Sequence, residues 1–274
     1  PASFNGVYGF KPSFGLIPRT GILKTSDTLD TIGFFCIHAK DIKIIFDKII
    51  LIGKNYPVSN KYLNKKIKKR FKGAYLENLF FNNIKKNVKE NFINFIKKAN
   101  KKKINITKAK ISNNFKKIHD IHETLYCKSL KYYFDNELKK NSNIEKISSQ
   151  FIELANKGKN ISLKDYKNAL SIQNKLIKSI EKFFKKFDFI IMPSTAGPAP
   201  KRGMVEAKDT SLIWTFLHLP TINIPLFVEN GLPYGVQIIF PKYNDYQLIE
   251  LINILLKKKL IPSKSNPCLM HDEN

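Results

Sequence analysis

The sequence predicts an α/β protein in which helices are layered on a sheet, and three observations point there. Residues 36 to 187 carry mostly helical periodicity, with apolar side chains returning every three or four positions. Three short apolar runs bounded by Pro or Gly follow, at Phe187–Met192, Thr221–Ile224 and Val236–Phe240, the pattern of strands buried on both faces. The 274 residues, 43% of them apolar, can fill one sizeable core, and no Gly/Ser-rich or Pro-rich linker divides the chain.

Taken in order, residues 1 to 35 are rich in Gly, Pro, Ser and Thr, with β-prone pieces GVYGF and FGLI set between turn signals. Within residues 36 to 187, KGAYLENLF and KINITKAKI read as strand-like interruptions. The clearest helix starts at Ser162, where the Ser-x-x-Asp spacing to Asp165 resembles a capping box, and continues through Ala169, Leu176 and Ile180 on its apolar face. Residues 188 to 256 alternate strand, loop, helix and strand and close with a helix over YQLIELINILLKKK; residues 257 to 274 form a polar tail.

Composition narrows the function classes. The net charge of +26 would suit a polyanion partner, because lysines gain affinity by displacing counterions from phosphates. Only Arg19, Arg70 and Arg202 are arginines, however, and base readout favours the guanidinium fork. Lys, Ile and Asn are over-used together and share A/T-rich codons, so runs such as KKIKKR read as solvated faces. No specific nucleic-acid partner is expected. The apolar runs are far shorter than the roughly 20 residues of a membrane span. Cys36, Cys127 and Cys268 lie far apart in odd number, suggesting neither a disulfide framework nor a zinc site, so a reducing, cytoplasmic setting fits.

Candidate site residues are few. Ser194 and Thr195 sit just past a predicted buried strand, on a loop ended by Pro198 and Pro200, where open α/β sheets present ligand contacts. The alternative is a turn whose hydroxyls cap the local backbone. Asp209 could face the same pocket; Trp214 reads as core. His119 and His122 have the spacing of two ligands on one helix face, yet no downstream ligand completes a site, and a solvated helix surface is expected. Ser13, Ser26 and Ser194 lack the Gly-x-Ser-x-Gly context of a nucleophile elbow.

The opening PASFNGVYGFKPSFGLIPRTG with DTLDTIGFF closely resembles the stretch after the nucleophile loop of the amidase signature family. FDFIIMPSTAGPAP resembles its late strand and Pro-rich loop, and SLIWTFLHLPTINIPLFVENGLPYGVQIIFPKYNDYQLIELI its closing helix, strand and helix succession. The resemblance covers residues 1 to 35 and 183 to 256, while the lysine-rich middle agrees in order of elements only.

The resemblance implies the family's fold, a central mixed sheet covered by helices, with this chain as the C-terminal part of a single domain. It also implies hydrolysis of amide or ester bonds, without metal or organic cofactor, by a serine in a Gly-Gly-Ser-x-Arg-x-Pro-Ala loop activated through a cis-peptide serine and a lysine. Pro1-Ala2 matches the end of that loop, which places all three catalytic side chains before Pro1; neither Lys11 nor Lys24 matches the catalytic lysine. The matching loop of Ser194 and Thr195 approaches the active site in the family. The implied partner is a small-molecule amide, with homodimerisation left open; the alternatives are an amidotransferase subunit for misacylated tRNA, or a non-catalytic remnant that binds a partner or polyanion. Because the family sheet draws strands from both halves of the chain, the strands near Phe187–Met192 and Val236–Phe240 are expected to lack neighbours here.

Overall fold

A computed structural model describes residues 1–53, 55–56, 66–79, 83–139, 146–204, 208 and 211–267. Seven strands form one mixed sheet: β1 (Tyr8–Lys11), β2 (Phe34–Cys36), β3 (Lys72–Leu76), β4 (Asn105–Ala109), β5 (Phe189–Pro193), β6 (Thr221–Glu229) and β7 (Leu232–Ile239). Their order is β2-β1-β6-β7-β5-β3-β4. The pairs from β2 to β5 are antiparallel, and β5-β3 and β3-β4 are parallel. The helices are α1 (Asp41–Ile49), α2 (Lys86–Lys101), α3 (Ile118–Tyr133), α4 (Asp135–Lys139), α5 (Ser149–Lys159), α6 (Leu163–Phe183), α7 (Ser211–Phe216) and α8 (Asp245–Lys257).

The two-residue period of the strands sorts side chains between two cores. On one face Tyr8 and Phe10 of β1, Ile222 and Ile224 of β6, Val236 and Ile238 of β7, and Phe189 and Ile191 of β5 pack under α1, α2 and α8. On the other, Leu76, Ile190, Met192 and Ile239 pack under α3, α6 and α7, with Trp214 at the centre. That second helical layer covers the β3, β5 and β7 side of the sheet. Over β2, β1 and β6 the same face carries Phe35, Gly9, Lys11, Thr221 and Asn223, and these residues line a cleft.

This uneven cover corrects one reading. β5 is buried on both faces, as its apolar run predicts, but β6 alternates buried and half-buried residues because its second face is the cleft floor. Two further expectations fail. FGLI does not form a strand: Gly15 adopts φ +86° and the Leu16 N–H donates to the Ser13 carbonyl, so the segment turns, with Leu16 still buried. The strands β5 and β7 do not lack neighbours either, since β5 lies between β7 and β3, and β7 between β6 and β5. The sheet edges are β2 and β4. The β2 edge is partly closed from the C-terminal side, where the Ser265 N–H donates to the Ile37 carbonyl and His38 bridges Lys264.

The helix at Ser162 has the predicted start. The Ser162 hydroxyl oxygen accepts the Asp165 N–H at 3.1 Å and its proton goes to the Asp165 carboxylate at 2.6 Å. Both groups satisfy what an uncapped first turn leaves open. Ser162→Ala is therefore expected to cost about 1 kcal/mol, read as a lower urea midpoint with an unchanged slope; an unchanged midpoint would discount the cap.

Candidate active-site cleft

The cleft has a volume of about 740 Å³ and is walled by three pieces of chain far apart in sequence: residues 1–5, the loop after β5, and the β1-β6 sheet face. Gly9 allows the first of these to lie flat on the sheet, because a Cβ there would stand 2.5 Å from the Ala2 methyl group. Gly235 instead lets β7 lie close against β6. A Cβ at that position would meet the Ile224 carbonyl oxygen at 2.2 Å, a backbone atom that cannot yield.

Hydroxyl groups tie the walls together in a fixed direction. The Thr195 hydroxyl donates to the Gly197 carbonyl at 2.8 Å, so it accepts from Ser3 Oγ at 3.1 Å, and Ser3 Oγ accepts the Gly235 N–H at 3.1 Å. Ser194 Oγ donates to Asn223 Oδ1 at 2.5 Å, while the Asn223 amide donates to the Val7 carbonyl at 2.8 Å. Gln237 donates to the Pro193 carbonyl at 3.1 Å. Ser194 and Thr195 follow the end of buried β5 and border the cleft, and the Thr195 hydroxyl caps the local backbone at Gly197, the alternative the sequence offered. The structure also brings Ser3, Asn223 and Gln237 to them. Sequence reading missed these three: each stands alone in an apolar or turn-rich run, and only strand register aligns Asn223 with Gln237.

Below the cleft lies a buried polar knot. The Asp245 carboxylate accepts the Ser13 N–H at 2.8 Å and the Ser13 hydroxyl at 2.7 Å, and Ser13 Oγ in turn accepts the Tyr243 N–H at 2.7 Å. Burial raises the Asp245 carboxyl above the usual carboxylate range, with the Ser13 bonds opposing. The Lys11 ammonium donates to the Leu219 carbonyl; burial lowers its pKa to about 7, with Asp245 acting in the opposite direction. The His218 ring stacks on Phe14 at 4.1 Å, and its Nε2 meets the Thr28 carbonyl at 2.8 Å. A carbonyl only accepts, so Nε2 carries the proton. Burial holds that imidazole near a pKa of about 4.

Other candidates fall elsewhere. Ser13 and Ser26 are buried structural hydroxyl residues, and Lys24 is an exposed residue 3.8 Å from Asp27. Trp214 is fully buried, as predicted; Asp209 and Cys268 lie outside the described residues. His119 and His122 are on α3, but the solvated surface expected for them does not hold. His122 is half-buried, stacks on Tyr126 at 5.7 Å, and has its pKa lowered by burial to about 4. None of the hydroxyls of Ser3, Ser194 and Thr195 is paired with a base in the bonds just described, so the cleft as built can hold and orient a ligand but contains no activated nucleophile among them.

The family model described as Amidase matches residues 1–249, including the lysine-rich middle. The chain belongs to the amidase signature family. Among curated relatives, a Glutamyl-tRNA(Gln) amidotransferase subunit of Clostridium botulinum is 26% identical over 92% of this chain. The chain spans 59% of the length of that relative. Solved amidase-family structures agree on the fold: an amidase crystal structure superposes with a TM-score of 0.80 at 20% identity over 94% of this chain and 59% of that one. The corresponding Glutamyl-tRNA(Gln) amidotransferase subunit of Thermotoga maritima gives a TM-score of 0.70 at 21% identity, with the same coverage. No helix among the described residues is long and apolar enough to cross a membrane.

Proposed function

We propose that this chain is the C-terminal, substrate-facing part of an amidase that hydrolyses the C–N bond of a small carboxamide in the cytoplasm, using no metal or organic cofactor. In this reading the nucleophilic serine lies four residues before Pro1, and its cis-peptide serine and lysine lie further upstream. A serine hydroxyl is a poor nucleophile at neutral pH, so a neutral lysine drawing its proton through a second serine, with backbone N–H groups facing the oxyanion, supplies the required activation. Ser194 and Thr195 line the substrate cavity. The observation that carries the reading is the Ser3–Thr195 contact, which fixes residues 1–5 against the loop after β5 across the cleft. A nucleophile placed just ahead of Pro1 would thereby be held at the cleft mouth.

Two measurements test it. The coding DNA ahead of Pro1 should encode Gly-Gly-Ser in register, with Ser four residues upstream. Residues 1 to 274 alone should neither hydrolyse amides nor be labelled by a fluorophosphonate probe. An in-frame upstream sequence without that serine, or specific labelling of a serine within this chain, would sink the proposal.

A second reading is favoured by the curated relatives, which carry the name of an amidotransferase subunit. It gives the lysine excess a purpose in tRNA binding. Weak, salt-sensitive and sequence-indifferent adhesion to RNA is expected under the first reading. Tight preference for one tRNA over random RNA at physiological salt would instead promote the second.

A further inference from the structure

We propose that residues 66–72 and the segment just past α6 form a second binding site, which takes a single-stranded nucleic acid by its phosphates and by one stacked base. The inference rests on neither reading of the cleft. The cleft lies at the end of β5 and this site at its start, so the length of that strand separates them. A cavity of about 390 Å³ opens here, within the range that holds a small organic ligand. Phe71 and Phe240, both buried, line it from the core side. Half-buried Phe184 lines it together with Lys66 and Lys68.

The cations around this cavity are dense and held in place. Residues 66–72 contain four lysines and Arg70, all exposed, and Lys185 and Lys186 stand exposed just past α6. The two segments adjoin: the Asp188 N–H donates to the Lys72 carbonyl at 2.7 Å, and the Lys72 ammonium lies 5.1 Å from the Phe187 ring. Gln247 of α8 pins the lysine segment, since its Oε1 accepts the Lys68 N–H and its Nε2 donates to the Lys66 carbonyl, each at 2.9 Å. Asp188 is the one acid within residues 66–72 and 183–188. Both of its oxygens are spent, on the Lys68 ammonium at 2.5 Å and the Lys72 N–H at 2.8 Å. Lys66, Lys69, Arg70, Lys185 and Lys186 enter none of the ion pairs among the described residues. Such uncompensated cations gain affinity by displacing counterions from a chain of phosphates, and lysine meets phosphate as a point charge without reading base edges. The Phe184 ring adds a surface on which any unpaired base can stack. A lipid headgroup would supply the phosphate but no base for that ring.

The test is fluorescence anisotropy on the full 274-residue chain, with labelled octa-adenylate and an abasic octamer of the same charge as probes at low salt. Octa-adenylate is expected to bind about fivefold or more tightly. Phe184→Ala should erase that difference and Phe184→Tyr should keep it. Replacing Lys69, Arg70, Lys185 and Lys186 together by Gln should flatten the dependence of log affinity on log salt by about 2 to 3. The same replacement of Lys97, Lys98, Lys101 and Lys103, the exposed lysines around the end of α2, should leave that dependence unchanged. Four results would each overturn the proposal: no binding of octa-adenylate, equal binding of the two octamers, equal flattening by the two sets of substitutions, or displacement by phosphatidylserine vesicles as readily as by unlabelled octa-adenylate. If Phe184→Ala does not fold, the wild-type comparison of the two octamers decides. Because binding is read without turnover and away from the cleft, failure here leaves the hydrolysis reading standing. Failure to find the upstream serine leaves this site standing.

Discussion

Between about pH 7 and pH 10 the wild-type chain is expected to gain stability over Lys11→Met as the pH rises, on the order of 1 kcal/mol per pH unit. The folded state holds Lys11 near a pKa of about 7 against an ordinary value of 10.5. Between those values the unfolded chain binds a proton that the folded chain does not, so stability rises as the pH rises. The contribution is complete above 10.5 and is lost as the pH falls through about 7. Asp245 titrates with a raised value, and its own effect has the opposite sign, favouring the folded state as acid is added. Asp245 is present in both proteins, but Lys11 is one of the groups that lower its value, so the difference reads the lysine together with its coupling to Asp245. Urea midpoints at several pH values measure it, and parallel curves for wild type and Lys11→Met would show that the amine is solvated.

Trp214→Ala is expected to destabilise the chain by about 3–5 kcal/mol, seen as a thermal midpoint lowered by several degrees. Trp214 is fully buried and stands in the cluster formed by α3, α6, α7 and the β5 face. Its indole N–H is buried with no hydrogen-bond partner among the described residues. Trp214→Phe should then cost far less, under about 1.5 kcal/mol, because it removes an unsatisfied donor along with some volume. Equal losses in the two variants would mean that the N–H is bonded after all. Since α7 also presents Ser211 and Thr215 to the cleft, the alanine variant should loosen ligand binding as well.

The strands were legible where one period dominated. KGAYLENLF and KINITKAKI stand out as β3 and β4 because their periodicity breaks a helical background, and β5 because five consecutive residues must be apolar to be buried on both faces. β6 was only half legible: Thr221 and Asn223 dilute its apolar run, and the reason is the uncovered sheet face beneath the cleft. Ser194 and Thr195 could be found from their place at a strand end. Ser3, Lys11 and Asp245 could not. Their partners are 192 to 232 residues away, and nothing local distinguishes a buried serine, lysine or aspartate from an exposed one. The failed solvation of His122 has the same source, since a helix face's exposure is set by what packs on it.

The position of β1 in the sheet has a consequence for biogenesis. Lys11 is registered against Thr221, and of its two partners in this sheet β1 has only β2 until β6 has emerged from the ribosome. At ordinary elongation rates that interval is about ten to forty seconds. Throughout it, a short two-stranded ribbon, marginal on its own, displays Tyr8 and Phe10 beside an open strand edge. Covering that edge during synthesis is therefore expected to raise the soluble yield.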